Sequence, residues 1–293
     1  MDGPGLDERR AALGSLRRLI FSSTVPWARQ RARFAAATSA TAIADGVERG
    51  AFRAGLVHGE TLTPRDAQPG RAILYVHGGG YCIGSPAMGR ALGSWLAARF
   101  AATVYGLDYR LAPEHPAPAA TQDVTAALEH LAGQEVVGLA DSAGAGALVA
   151  ALLAGAAPVA ALALVSPWLD LARDYDDELA ARDPLLSADW LEACARAYTT
   201  GDHTGPHVSP LRASWTGLAP ALVVGTDDDL LAPDAAALAA RGDPRLAVRT
   251  WPGLWHDFAL ALGQVPEAAE AAEAIARHVE AVTGWRRNGP TGW

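Results

Sequence analysis

From about residue 70 the chain alternates between two apolar rhythms. Short runs that are almost wholly apolar (Ala72–Val76, Thr103–Leu107, Glu135–Leu139, Val159–Val165, Ala221–Val224 and Leu246–Thr250) predict buried strands. Between them Met88–Phe100, Thr121–Leu131, Gly144–Ala154, Pro233–Ala240 and Glu267–Val282 carry apolar residues at helical spacing, as Leu92, Trp95 and Leu96 do in the first. Strands apolar on both faces, alternating with helices, predict an α/β fold with a mostly parallel sheet covered on both sides. Ahead of this region, residues 1–45 read as helical (Leu6, Leu13, Leu16, Leu19, Ile20), and Val47–Thr63 reads as short strands. The alternation breaks once, between Asp170 and Pro220, in a polar, helix-like insertion. The expected organisation is N-terminal cap helices over 1–45 and a main domain over 46–293, with 172–215 inserted as a second cap segment. Such a lid would cover the carboxyl edge of the sheet, where open α/β sheets bind ligands. The tail Gly284–Trp293 reads as frayed.

Composition narrows the class. The chain has 293 residues, half hydrophobic and 19% charged, which fits one large α/β domain with insertions and excludes intrinsic disorder. A net charge of -8 and a pI near 5.5 argue against a nucleic-acid partner. Every basic residue is arginine, which excludes a lysine nucleophile or a P-loop lysine. Two cysteines, Cys82 and Cys194, are too few for a disulfide scaffold or a cysteine-built zinc site, so no such metal site is expected. The start, Met1-Asp2-Gly3-Pro4, lacks the layout of a signal peptide. The uncharged stretch Ala143–Val165 is long enough to span a bilayer, but Gly155 and Pro158 interrupt it. A helix, a turn and a buried strand explain it better, so no membrane partner and a cytoplasmic location are expected. A homodimer is compatible with these features, although none of them specifies one.

The candidate chemistry centres on Val136-Val137-Gly138-Leu139-Ala140-Asp141-Ser142-Ala143-Gly144, a buried strand that runs through a serine directly into a small-residue helix. This is the layout of a nucleophile elbow, where a tight turn exposes the hydroxyl and small neighbours let strand and helix approach closely. The other reading is a serine N-cap on an ordinary helix. Upstream, His77-Gly78-Gly79-Gly80-Tyr81 follows a strand directly. Three successive glycines cost backbone entropy, and they permit backbones whose N–H groups converge, as an oxyanion hole requires. His77 is expected to fix this loop rather than act as a base. A serine also needs a base and an orienting acid. Asp227-Asp228-Asp229 stands at the end of one strand and Leu254-Trp255-His256-Asp257 follows another, giving the order serine, aspartate, histidine.

The segment Asp108-Tyr109-Arg110-Leu111-Ala112-Pro113-Glu114-His115-Pro116 closely resembles the signature of the hormone-sensitive-lipase-like (bacterial family IV) carboxylesterases. So do His77–Gly80, the Asp-Ser-Ala-Gly elbow, Ser166-Pro167-Trp168-Leu169-Asp170 and Val208-Ser209-Pro210-Leu211. The resemblance implies an α/β-hydrolase core with a helical cap and a serine esterase without cofactor. It assigns Ser142 as nucleophile, His256 as base, and the N–H groups of Gly79, Gly80 and Ala143 as the oxyanion hole. Its pattern of Gly, two residues, Asp, any residue, Leu selects Asp228 as the acid, with Gly225 and Leu230 in register. Arg110 and Glu114 are expected to brace the catalytic loops. The chain departs from the pattern at Ala140 and Ala145 (glycines in the family), at Ala117 (often a bulky aromatic) and at Asp257 (a glycine). A carboxylate at 257 is expected to raise the His256 pKa and shift activity to higher pH. Tyr81, Trp168 and Trp255 are expected to line an apolar pocket for short- to medium-chain esters. Deacetylation of a small natural product is one such role. The competing readings are a lyase or cyclase using the same oxyanion hole, and a non-catalytic small-molecule receptor.

Overall fold

Eight strands form one sheet in the order β1-β2-β4-β3-β5-β6-β7-β8 in a computed structural model that describes residues 5–286. Strands β1 (Val47–Ala54) and β2 (Val57–Pro64) make an antiparallel hairpin, and β2 also runs antiparallel to β4 (Thr103–Asp108). The rest is parallel: β3 (Arg71–Val76) lies between β4 and β5 (Glu135–Asp141), followed by β6 (Ala161–Val165), β7 (Ala221–Thr226) and β8 (Leu246–Trp251). The central strands β3, β5, β6 and β7 are buried along almost their whole length, which is why they are apolar at every position rather than at alternate ones.

The pleat sends alternate side chains into two separate cores. On one face Leu74, Ala140, Leu162 and Val223 pack against α4 (Ala119–His130), α5 (Ser142–Leu153) and α8 (Ala232–Ala239). On the other, Ile73, Val137, Ala163 and Val224 pack against α3 (Arg90–Phe100) and α9 (Pro266–Thr283). The ten residues Ser142–Ala151 of α5 are all buried. The uncharged stretch 143–165 is therefore a core helix, a turn and a core strand, and no helix among the described residues is long and apolar enough to cross a membrane.

The N-terminal region forms α1 (Leu6–Leu19) and α2 (Trp27–Thr38), and the insertion after β6 forms α6 (Asp177–Arg182) and α7 (Ala188–Tyr198). Phe21, which follows α1, meets Phe34 of α2 and Trp190 of α7 edge to face, and Gln30 Oε1 accepts a hydrogen bond from the Trp190 indole at 2.9 Å. The two segments thus pack on each other above the carboxyl ends of the strands. At the other end of the chain the expected fraying is not seen at Gly284 and Trp285: the Trp285 ring is buried and its indole N–H donates to Glu135. Met1–Pro4 and residues 287–293 lie outside the described residues.

Candidate active site

Ser142 occupies the turn between β5 and α5 with φ +48°, a left-handed conformation that β-carbon-bearing residues adopt only under constraint. The constraint is close packing of α5 on β3. A Cβ at Gly144 would lie 2.1 Å from the carbonyl oxygen of Val76, so only glycine fits there. Ala140 and Ala145, where the family has glycine, are accommodated and fully buried. Asp141 ties the elbow to the glycine loop, its carboxylate accepting from Tyr75 Oη at 2.6 Å and from the Gly78 amide at 2.8 Å. Sequence reasoning did not single out Asp141, although it lies inside the Asp-Ser-Ala-Gly quartet.

Gly79 has φ +101°, and a Cβ there would lie 2.3 Å from the Ile83 carbonyl oxygen. Among the described residues the amides of Gly79 and Gly80 have no hydrogen-bond acceptor. The Ala143 amide, in the first turn of α5, has none within its helix. Three backbone donors are thus left unsatisfied around Ser142, at the positive end of a buried helix. His77 is neutral: burial pushes it down to about 4, and it stacks on Tyr109 at 4.3 Å with Nδ1–H donating to the Gly78 carbonyl at 2.7 Å.

His256 lies 4% exposed, and its Nδ1 is 2.7 Å from Oδ2 of Asp229, which places Asp229 rather than Asp228 as its acidic partner. The two adjacent carboxylates point in opposite directions. Asp229 turns inward and is 1% exposed; its Oδ1 accepts from the Leu231 amide at 2.8 Å. Asp228 turns outward to Arg10 of α1 at 3.2 Å and Arg182 of α6 at 3.8 Å. The inward turn is fixed from outside the loop by buried Asp183, whose Oδ2 accepts from the Leu230 amide at 2.9 Å. Burial and the Asp229 carboxylate push Asp183 up to about 6. Arg10 secures the histidine loop as well, donating to the carbonyls of Gly253 (2.8 Å) and Leu254 (2.7 Å) while also holding the Arg182 carbonyl at 2.5 Å.

The second ring nitrogen also has an acidic neighbour. Asp257, in a left-handed turn at φ +60°, places Oδ2 3.1 Å from His256 Nε2. Burial alone would depress the imidazole, but the Asp229 and Asp257 carboxylates outweigh it and hold His256 well above its ordinary value. Burial and the Asp257 charge likewise drive Asp141 well above the carboxylate range.

Ser142, His256, Asp257 and Gly79 share a cavity of about 230 Å³ whose apolar wall comes from Phe21 and Phe34 of the N-terminal region, Leu185, Leu186 and Trp190 of the insertion, and Trp255. Of the three expected pocket residues, only Trp255 lines it. Tyr81 is buried against Tyr198, ring centroids 3.8 Å apart, and Trp168 is buried behind the elbow with its amide donating to the Ser142 carbonyl at 3.0 Å. Both pack into the core and line no part of the cavity. Glu114 pairs with Arg31 of α2, which also donates to the Cys82 and Ala112 carbonyls at 2.7 Å, and Arg110 pairs with Asp123, so both brace loops around the site.

Residues 73–260 match the sequence pattern of a family described by its α/β-hydrolase fold. The chain is 37% identical to an acetyl-hydrolase of Streptomyces hygroscopicus over 74% of its own length and 78% of that protein. It is 33% identical to an esterase of Acinetobacter venetianus over 75% and 78% of the two chains. Among solved structures, a hormone-sensitive lipase from a metagenome library superposes with a TM-score of 0.87 at 30% identity, covering 96% of this chain and 99% of that one. An esterase from the bacterial hormone-sensitive lipase family gives 0.84 at 29% identity, covering 97% and 99%. The chain belongs to the α/β-hydrolase family, among its hormone-sensitive-lipase-like members, and is a carboxylic ester hydrolase.

Proposed function

We propose that the enzyme hydrolyses short- to medium-chain esters of small alcohols, acetyl esters foremost, through an acyl-enzyme on Ser142. The observation that carries this reading is the meeting of Ser142 and His256 in one cavity, with Asp229 on the far nitrogen of the imidazole. His256 takes the serine proton as Oγ attacks the ester carbonyl, and Asp229 holds the ring and balances the imidazolium. The oxyanion then forms against the Gly79, Gly80 and Ala143 amides, each such donor being worth about 2.7–4 kcal/mol. The imidazolium returns its proton to the leaving alcohol, and water repeats the sequence to release the acid. The N-terminal helices and the 172–215 insertion act as the cap that walls off this chemistry.

The small cavity supports the preference for short acyl groups. At about 230 Å³ it falls below the usual ligand-pocket range of about 300–1,000 Å³, and the Streptomyces relative is named for acetyl hydrolysis. Ser142→Ala is expected to lower kcat on a nitrophenyl acetate by a factor on the order of 10⁶, and near-native turnover would overturn the assignment. Across nitrophenyl esters from acetyl to palmitoyl, the optimum is expected at octanoyl or shorter; an optimum at lauroyl or longer would overturn the substrate class.

A further inference from the structure

The imidazole of His256 is flanked by carboxylates at both nitrogens, Asp229 at 2.7 Å from Nδ1 and Asp257 at 3.1 Å from Nε2. A triad as usually arranged supplies one, and Nε2 is the atom that must carry the serine proton. We propose that Asp257 is a second electrostatic partner of the base, which stores positive charge on the imidazole and so trades activity at low pH for a faster plateau at high pH. This deepens the assignment of His256 as the base and rests on it.

The geometry gives Asp257 little freedom to do otherwise. Its backbone is held in the left-handed region, its amide donates to Ser166 Oγ at 3.1 Å, and its Oδ2 stands 3.1 Å from Nε2. The Nε2 edge that Asp257 approaches faces the cavity that Ser142 shares. Asp257 Oδ1 is buried with no donor among the described residues, and the Asp141 carboxyl is the neighbour able to share a proton with Asp257. The other titratable groups facing this pair are Asp229 after β7, Tyr75 on β3 and Asp183 in the insertion. All are acids, so His256 is the one group among these that carries positive charge when protonated. Burial pushes the Asp257 carboxyl up and the His256 charge pulls it back down, so that with the imidazole protonated Asp229, His256 and Asp257 form a chain of alternating charge.

The consequence for rate has two signs. A carboxylate within about 4–6 Å of an imidazole favours its charged form by about 1–3 pK units, so the neutral base appears only at higher pH. The same charge stabilises the imidazolium that forms when Ser142 is deprotonated, which speeds acylation once the base is available. Removing it makes the base available earlier and weaker.

The test is the pH profile of kcat/KM for a nitrophenyl acetate in the wild-type enzyme and in Asp257→Asn, Asp257→Gly and Asp257→Glu. Asparagine and glycine both tolerate the left-handed backbone, so these variants are expected to fold. In the first two the acid limb is expected to move down by about 1–3 pH units while the alkaline plateau falls severalfold; Asp257→Glu is expected to recover part of both. An acid limb that stays in place overturns the proposal, and a limb that moves with an unchanged plateau overturns its rate-enhancing half. Titration of the His256 imidazole by NMR, assigned with His256→Gln, reads the same charge without turnover. If wild-type turnover survives Ser142→Ala, the triad reading fails while this titration still decides the role of Asp257.

Discussion

Ser142 and the amides around it sit at the ends of β3 and β5 and the start of α5, where the packing is apolar and a single buried carboxyl, Asp141, ties the two turns together. His256 and Asp229 sit on loops after β8 and β7, held by Arg10, Asp183, Asp228 and Asp257, and two of those four belong to segments outside the sheet. One half of the site is therefore fixed by close contact, which is short-ranged and intolerant of added volume. The other half is fixed by charge, which acts over longer distances and answers to pH and to the N-terminal helix. The Ser142 half is a property of the core. The His256 half depends on its surroundings.

Substitutions can separate these halves. The largest contrast is expected between adjacent carboxylates: Asp229→Asn lowers kcat by about 10⁴-fold through loss of the correct tautomer, whereas Asp228→Asn costs a few-fold at most. Comparable losses from the two in ester-hydrolysis assays would erase the distinction between inward and outward aspartates. Next comes Gly79→Ala, where the new methyl meets the Ile83 carbonyl and displaces the amide proposed as an oxyanion donor. The expected loss is about 10²–10³-fold in kcat with KM little changed, and a purely KM effect would count against this loop as the anion site. Arg10→Ala is the smallest of the three and tests the His256 half alone. It is expected to lower kcat about tenfold, with Arg10→Lys recovering part because one charge remains without the planar fork. The rate of fluorophosphonate labelling of Ser142 should fall in parallel, and full retention of kcat would show that the histidine loop holds its place unaided.

The same division explains what could be read from the chain itself. The elbow, the glycine loop and the strand–helix alternation are local patterns, set by residues a few positions apart, and they were legible. The acid was not. Three aspartates followed by Leu230 and Leu231 let the family pattern slide by one position, and the choice is made by Asp183, 47 residues before Leu230, and by Arg10, farther still along the chain. Tyr81 and Trp168 flank the right loops, but whether an aromatic ring lines the cavity or packs into the core is decided by its partners. Tyr198 claims the first, and the elbow closes over the second. The effect of Asp257 was legible in direction from its place next to His256; its position over Nε2 follows from a backbone angle no pattern announces.

The cavity wall contributed by Ala37, Thr38 and Thr41 lies at the end of α2 and just beyond it, in a segment that adds no strand to the sheet. Guest selection and bond breaking are therefore written in different stretches of the polypeptide. Variation among those three positions can re-cut the shape of the accepted molecule while the reacting atoms stay where the core has set them.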